Sequence, residues 1–189
     1  EGDTDYIKEK RWDIDQGGDI DLRKCHYINN GIDLESFVQS IVDHPVEDRD
    51  LEADKFNVVY TGAIRPVNNV GNILDSARLL KDETDVQFLI YGSGNQEDAL
   101  RKRVKEECLT NVKMKGYVNK RHIPYILSKS SVSVLNYSQT QYNWSRGNSS
   151  NKLFEYMASG KPIISTVKMG YCILGKYKWG ISLDQNTPE

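Results

Sequence analysis

Residues 56–94, FNVVYTGAIRPVNNVGNILDSARLLKDETDVQFLIYGSG, contain the same strand-then-glycine pattern twice. Phe56-Asn57-Val58-Val59-Tyr60 is a short β-branched and aromatic run that stops at Thr61-Gly62. Val86 to Tyr91 is a second such run, and it stops at Gly92-Ser93-Gly94. Runs of this kind, bounded by glycine, read as buried strands. Between them Ile73, Leu74, Ala77 and Leu80 recur at helical spacing over residues 70–80 and make one apolar stripe. Strand, helix, strand predicts a parallel pair with a helical crossover.

The alternation continues downstream. Glu97 to Cys108 reads as a charged helix with Leu100 and Val104 facing inward, and Val112-Lys113-Met114 as a short strand closing at Gly116. Arg121 to Ser128 reads as a short helix with Pro124 near its start, then Ser131 to Leu135 and Pro162 to Val167 as strands. The expected fold is α/β, a doubly wound, mostly parallel Rossmann-like sheet. Upstream the pattern weakens. Residues 1–24 are polar, with Gly17-Gly18 in the middle, and read as a loose arm or the remnant of a preceding helix. Residues 25–30 carry a short strand signal ended by Gly31, and 43–55 are acid-rich with one proline, as in a linker or surface loop. The expected organisation is an arm (1–24), an interdomain linker (25–55) and one domain (56–189). A start at Glu1 and a polar end at Asn186-Thr187-Pro188-Glu189 suggest a piece of a longer protein, cut inside its last domain.

Composition narrows the function. Lysine and arginine total 25 against 27 acidic residues, a net charge of −2, which gives no reason to expect a nucleic-acid partner. No apolar run is long enough to span a membrane, and no signal peptide opens the chain. Cys25, Cys108 and Cys172 are too far apart for a disulfide framework or a zinc site and fit a reducing, cytoplasmic setting. His26 and His122 lack partners at ligand spacing. Asp13-Ile14-Asp15 and Asp19-Ile20-Asp21 have the spelling of a metal–diphosphate cluster but fall in the polar arm. No metal is expected.

In doubly wound sheets ligands bind outside the carboxyl ends of the strands, which directs attention to residues 62–69, 92–95, 116–121, 136–150 and the helix beginning at 151. Gly62 would let a ligand approach the backbone, Arg65 could pair with a phosphate, and Asn69 could cap the following helix. From these residues alone an ordinary strand–helix loop with a surface arginine is the favoured reading. Gly92-Ser93-Gly94 reads first as a structural turn, since Gln96 and Glu97 break the longer dinucleotide pattern. Tyr117, after Gly116, either covers a nucleobase or packs in the core. The loop 136–150 has no apolar period and carries Tyr137, Tyr142, Trp144 and Arg146. Loops of that length usually serve function.

Residues 148–164, NSSNKLFEYMASGKPII, carry the sharpest signal. A polar loop enters a short helix, and Gly160 and Pro162 end it. A helix N-terminus is a ready anion site. A lysine in that first turn opposes the macrodipole, and Lys152 before Glu155 is the weaker order for an ion pair. Both oddities fit a phosphate at Lys152, with Glu155, one turn on, accepting ribose hydroxyls. A solvated surface pair remains the alternative.

These stretches together resemble the C-terminal, donor-binding half of GT-B glycosyltransferases of the group 1 (family 4) type. Ile28 to Phe37 is similar to the family's segment joining the two domains. Tyr60-Thr61-Gly62 matches the first strand and glycine loop, Val86 to Gly94 and Val112 to Val118 the next two strand–turn segments, and Asn151 to Pro162 the "nKlfEymA.GkP" signature. The resemblance implies retaining transfer from a nucleotide sugar such as a UDP- or GDP-sugar, with no obligatory metal. It also implies use in capsule, lipopolysaccharide or exopolysaccharide assembly. Lys152 and Glu155 would serve at the reacting end. Gly62, Arg65, Asn68, Asn69, Gly92, Gly94, Tyr117, Val118 and Asn151 would line the donor nucleotide. An acceptor sugar or lipid-linked saccharide would be held by an N-terminal domain, with the full protein cytoplasmic and possible membrane association at the inner face. This chain alone is then expected to bind donor weakly and transfer nothing. The first glutamate of the family's E-x7-E motif would fall at Gly147, and the glycine-loop Arg and Lys at Ala63 and Asn68. A nucleotide-sugar 2-epimerase and a non-catalytic nucleotide-binding module are the alternatives.

Overall fold

A computed structural model describes residues 2–26, 28, 30–138, 150–167 and 173–183. The elements run α1 (Gly2–Glu9), α2 (Leu34–Asp43), β1 (Phe56–Thr61), α3 (Val70–Leu79), β2 (Val86–Tyr91), α4 (Glu97–Glu106) and β3 (Val112–Gly116). Then follow α5 (Ile123–Ser128), β4 (Val132–Leu135), α6 (Asn151–Ala158), β5 (Ile163–Ser165), α7 (Ile173–Tyr177) and β6 (Gly180–Ser182). All six strands pair in parallel in the order β3-β2-β1-β4-β5-β6. β1 and β2 are in register from Phe56↔Val86 to Thr61↔Tyr91, whereas β1 meets β4 at only two pairs, Val58↔Val132 and Val59↔Ser133. The winding reverses between β1 and β4, so the loops leaving those two strands part and form a crevice at the carboxyl edge. The doubly wound Rossmann-like sheet expected from the sequence is the fold observed.

The pleat sends alternate side chains to two cores. Val58, Tyr60, Phe88 and Ile90 pack under α3 and α4 with Ile73, Leu74, Ala77 and Leu100. Val59, Leu89, Tyr91 and Leu135 pack under α2, α5 and α6 with Phe37, Ile126, Leu127, Leu153 and Tyr156. The stripe read over 70–80 is correct except at Leu80, which ends the helix half-exposed.

Upstream, the strand expected at 25–30 needs correction. Residues 1–24 hold α1 and two 3-10 turns, and buried Asp13 caps the first turn by accepting the Gln16 N–H at 3.0 Å. Cys25, His26, Ile28 and Asn30 are not in a strand, because neither edge strand, β3 nor β6, pairs with this segment and an extended run without a ladder is not stable. Within 25–55 lies α2, capped by Asp33, which accepts from the Ser36 N–H (3.1 Å) and hydroxyl (2.7 Å). The acid-rich stretch after it is fastened to the sheet. Lys115 reaches both Asp48 and Asp50 at 2.6 Å, Tyr91 donates to Asp48 at 2.8 Å, and Leu51 is buried. The outer face of α2 leaves Leu34, Val38 and Val42 exposed. α7 and β6 add a strand that the sequence reading did not single out. Among the described residues no helix is long and apolar enough to cross a membrane.

Candidate functional site

The crevice is built by two glycine turns that touch. Gly62 donates its N–H to Tyr91 O (2.9 Å) and Gly92 donates to Gly116 O (2.7 Å), which ties the ends of β1, β2 and β3. A methyl group on Gly92, whose φ is +144°, would lie 1.8 Å from Gly62 O. Gly92 is therefore required by close backbone approach rather than by a ligand. Gly94 sits behind Ile64, whose carbonyl a methyl there would meet at 2.3 Å. Both glycines shape the Gly62 turn from behind.

α6 brings the candidate side chains to this turn. Tyr156, fully buried, accepts the Thr61 N–H at 3.0 Å and donates to Thr61 O at 3.2 Å, so α6 is pinned to the end of β1. Lys152, one turn earlier on the same face, is thereby laid against Gly62, where an added methyl would come within 2.8 Å of Lys152 Cε. Its ammonium donates to Tyr60 Oη at 3.2 Å and lies 4.5 Å from the Tyr60 ring centroid and 5.0 Å from that of Tyr137. It makes no ion pair with a described carboxylate. Burial holds the Lys152 pKa down at about 8, against the pull of Glu155. At the N-terminus of α6 Ser150 makes no side-chain cap bond, the first turn holds no acid, and the Leu153 N–H turns back to Ser150 O at 3.1 Å. A cation and the positive end of a helix thus converge beside the switch point.

Glu155 sits about 60° around the helix from Lys152 and opens into a different concavity. That cavity, about 360 Å³, is lined by Ile32, Asp33, Phe37, Lys120, Asn151 and Glu155, among others. The Glu155 side chain is 16% exposed and meets Lys120 Nζ at 3.5 Å, but that lysine is 78% exposed. So loose a pair is weak and readily displaced. The two residues expected to act side by side therefore serve adjoining spaces, one on either side of the start of α6.

The remaining candidates divide. Arg65 is exposed at the mouth of the glycine loop and has no ion pair or side-chain hydrogen bond with another described residue. Asn68 is buried, and the Asn136 amide at the end of β4 donates to the carbonyls of Asn68 (2.8 Å) and Asn69 (2.5 Å). This clamps the turn to the other wall of the crevice. Asn69 does not cap α3 with its side chain. It takes a left-handed conformation (φ 44°) and enters the helix by backbone geometry alone, with its carbonyl engaged by Asn136. Tyr117 is 75% exposed, so its core alternative is excluded, whereas Val118 packs against the core. Asn151 lines the Glu155 cavity. Tyr142, Trp144 and Arg146 lie outside the described residues. Sequence reasoning missed Tyr60, Tyr156 and Asn136, and named Tyr137 without a role. Each reads as core or loop filler until its partner across the sheet is known. Among the described residues no group of three or more His, Cys, Asp or Glu is arranged to hold a metal ion.

Comparison with known proteins agrees with this fold. The family described as glycosyl transferases, group 1, matches residues 55–188. TuaH of Bacillus subtilis (strain 168), named for teichuronic acid biosynthesis as a glycosyltransferase, is 25% identical over 167 residues, covering 86% of this chain and 38% of TuaH. Anabaena HepE, solved with UDP and glucose, superposes with a TM-score of 0.60 at 16% identity over 93% of this chain and 46% of HepE. S. aureus TarM, solved as a variant with fondaparinux, α-GlcNAc-glycerol and UDP, gives a TM-score of 0.63 at 19% identity over 93% of this chain and 32% of TarM. The chain thus spans less than half the length of each of these relatives.

Proposed function

The chain belongs to the group 1 glycosyl transferase family, and on that premise we propose that it is the donor-binding half of a retaining transferase. A sugar would move from a nucleotide sugar to a saccharide or lipid-linked acceptor during surface polysaccharide assembly. One observation carries the reading: the Lys152 ammonium, with no ion pair to a described carboxylate, and the start of α6 meet at the β1/β4 switch point, one helical turn from the Glu155 carboxylate. The donor diphosphate lies between Gly62, Lys152 and the first N–H groups of α6, where Arg65 can swing onto it. The ribose hydroxyls donate to Glu155, displacing Lys120. The base lies along Gly116–Val118, with exposed Tyr117 free to cover it.

In the transfer step the bond between the anomeric carbon and the diphosphate oxygen breaks while an acceptor hydroxyl oxygen bonds to the same carbon. The acceptor proton leaves with the diphosphate. Negative charge builds on the departing diphosphate, and preorganised cations and backbone N–H groups facing it lower the barrier most. Lys152, Arg65 and the helix terminus supply that charge without an obligatory metal. HepE and TarM, which share the fold, were solved with UDP, and this supports a uridine diphosphate sugar as the first donor to try. An N-terminal domain holds the acceptor, and the work is done in the cytoplasm, with the full protein at the inner face of the membrane.

Calorimetric titration with UDP, GDP and ADP tests this. One nucleoside diphosphate should bind, and Glu155→Ala should weaken it about tenfold, the loss of one or two hydrogen bonds to a charged group. Equal binding of inorganic diphosphate and nucleoside diphosphates, unchanged by Glu155→Ala, would refute the assignment.

A further inference from the structure

The charge on Lys152 is held in an unusual way. Lysines this enclosed are nearly always paired with a carboxylate, yet here two aromatic faces do the holding. Tyr60 comes from β1 and Tyr137 from the residue after Asn136 at the end of β4, so the cage spans the two strands between which the sheet reverses. Residues 139–149, which connect this point to α6, contain no Asp or Glu. Tyr60 Oη donates to Ala63 O at 2.8 Å, so its lone pairs, not its proton, face the ammonium. A π-face attracts a cation without neutralising it, which leaves the charge available to an incoming anion.

Among the described residues the ionisable groups around the ammonium are Tyr60 from β1, Tyr137 from the end of β4 and Tyr156 from α6, with Glu155 in the adjoining concavity and Arg65 in the glycine loop. Burial pushes Tyr60 and Tyr156 above the ordinary tyrosine range, so both stay neutral through pH 10. Lys152, held down by burial to about 8, is placed to change charge just above neutrality.

We propose that Tyr60 and Tyr137 are positioning residues that hold Lys152 by their ring faces at the Gly62 turn, without an ion pair to any described carboxylate, so that binding of the donor diphosphate is coupled to uptake of a proton by Lys152. This rests on the reading of the crevice as a donor site. A bound dianion favours the ammonium over the amine and raises its pKa. Below about pH 7 the lysine is already charged and affinity is flat. Above about pH 8 each pH unit weakens binding about tenfold, until the bound-state value is passed. Between pH 7 and 9.5 the dissociation constant should rise about 30-fold.

The test uses UDP-glucose, GDP-mannose and ADP-glucose, whose diphosphates are diesters with no proton to lose in this range. Titrations from pH 6.5 to 9.5, in buffers of differing ionisation enthalpy, read both affinity and protons taken up. The expected result is uptake of about half a proton at pH 8 and almost none at pH 6.5, with the profile flattened in Lys152→Met. Tyr137→Leu should move the midpoint down by roughly half a pH unit or more, because a desolvated cation loses a cation–π partner. Tyr137→Phe, which keeps the ring, should restore it. A purely structural Tyr137 would alter affinity equally at every pH. Binding with a flat profile would overturn the proton coupling and leave the donor site standing. Failure of all three sugar nucleotides to bind the folded chain at any pH would overturn both.

Discussion

Replacing Lys152 with methionine keeps the length of the side chain and removes its charge, and the two effects should pull in opposite directions. In the ligand-free protein the ammonium is a liability. An ordinary lysine ionises at 10.5, and burial lowers Lys152 to about 8. At about 1.36 kcal/mol per pH unit, that difference sets a ceiling of about 3 kcal/mol. The Nζ environment is enclosed but not sealed from solvent, so about 1–2 kcal/mol is the working value. The sign follows from linkage. At pH 7 the unfolded chain holds the proton freely and the folded chain holds it at a cost. That cost is fully present below about pH 8 and fades as pH rises through 10.5, above which the amine is neutral in both states. Lys152→Met should therefore raise the melting temperature at pH 7 by roughly 3–6 °C for a chain of this size, and the gain should shrink by pH 10. The same variant should lose most of its affinity for a nucleoside diphosphate. Scanning calorimetry of both proteins at pH 7 and pH 10 reads the first effect, and isothermal titration reads the second. A variant that melts lower at pH 7, or whose advantage is the same at both pH values, would refute the idea that a functional charge is held at the expense of stability.

Other perturbations follow from the same geometry. Gly92→Ala should cost more than about 3 kcal/mol in urea unfolding, because its methyl meets Gly62 O at 1.8 Å. Gly17→Ala, left-handed at φ +89° but in open space, should cost only about 1 kcal/mol. Lys115→Met leaves Asp48 and the more exposed Asp50 without their shared cation and should cost about 1–2 kcal/mol at pH 7, since solvent screens part of the loss. For Asp48 itself, burial works to raise the pKa, but the hydrogen bonds from Lys115 and Tyr91 outweigh it and leave it below the usual range. Its stabilisation is therefore complete above the ordinary aspartate value and lost as pH falls through the lowered one. Asp48→Asn should accordingly flatten acid unfolding below about pH 4, monitored by circular dichroism.

Much of the sheet was legible because its signals are local. Val86 to Tyr91 is a mostly apolar run and Val112 to Gly116 a short alternating one, each stopped by a glycine, and Ile73, Leu74 and Ala77 announce a helix by spacing alone. What was misread depends on partners remote in sequence. Asp48 and Asp50 look solvent-facing until Lys115, more than 60 residues on, is brought against them. The 25–30 run looks like a strand until the sheet is found to offer it no neighbour. At the site, Lys152 and Glu155 were conspicuous because a lysine in a first helical turn contradicts the macrodipole. Their division between two concavities was not legible, since it follows from Tyr156 pinning α6 to Thr61. Tyr60 and Tyr137 are ordinary aromatic residues in isolation, and only the β1/β4 switch point makes them a pair.

The central claim is that a nucleotide binds at the carboxyl edge of the sheet, and backbone amide NMR of the ¹⁵N-labelled chain during titration with UDP tests it most directly. The account predicts saturable shifts concentrated at residues 61–65, 116–120 and 150–155. It also predicts quiet signals at Met157, Lys161, Trp179 and Ile181, which line a groove of about 500 Å³ on the opposite edge. Shifts centred on that groove, or none at millimolar UDP with the chain folded, would contradict it.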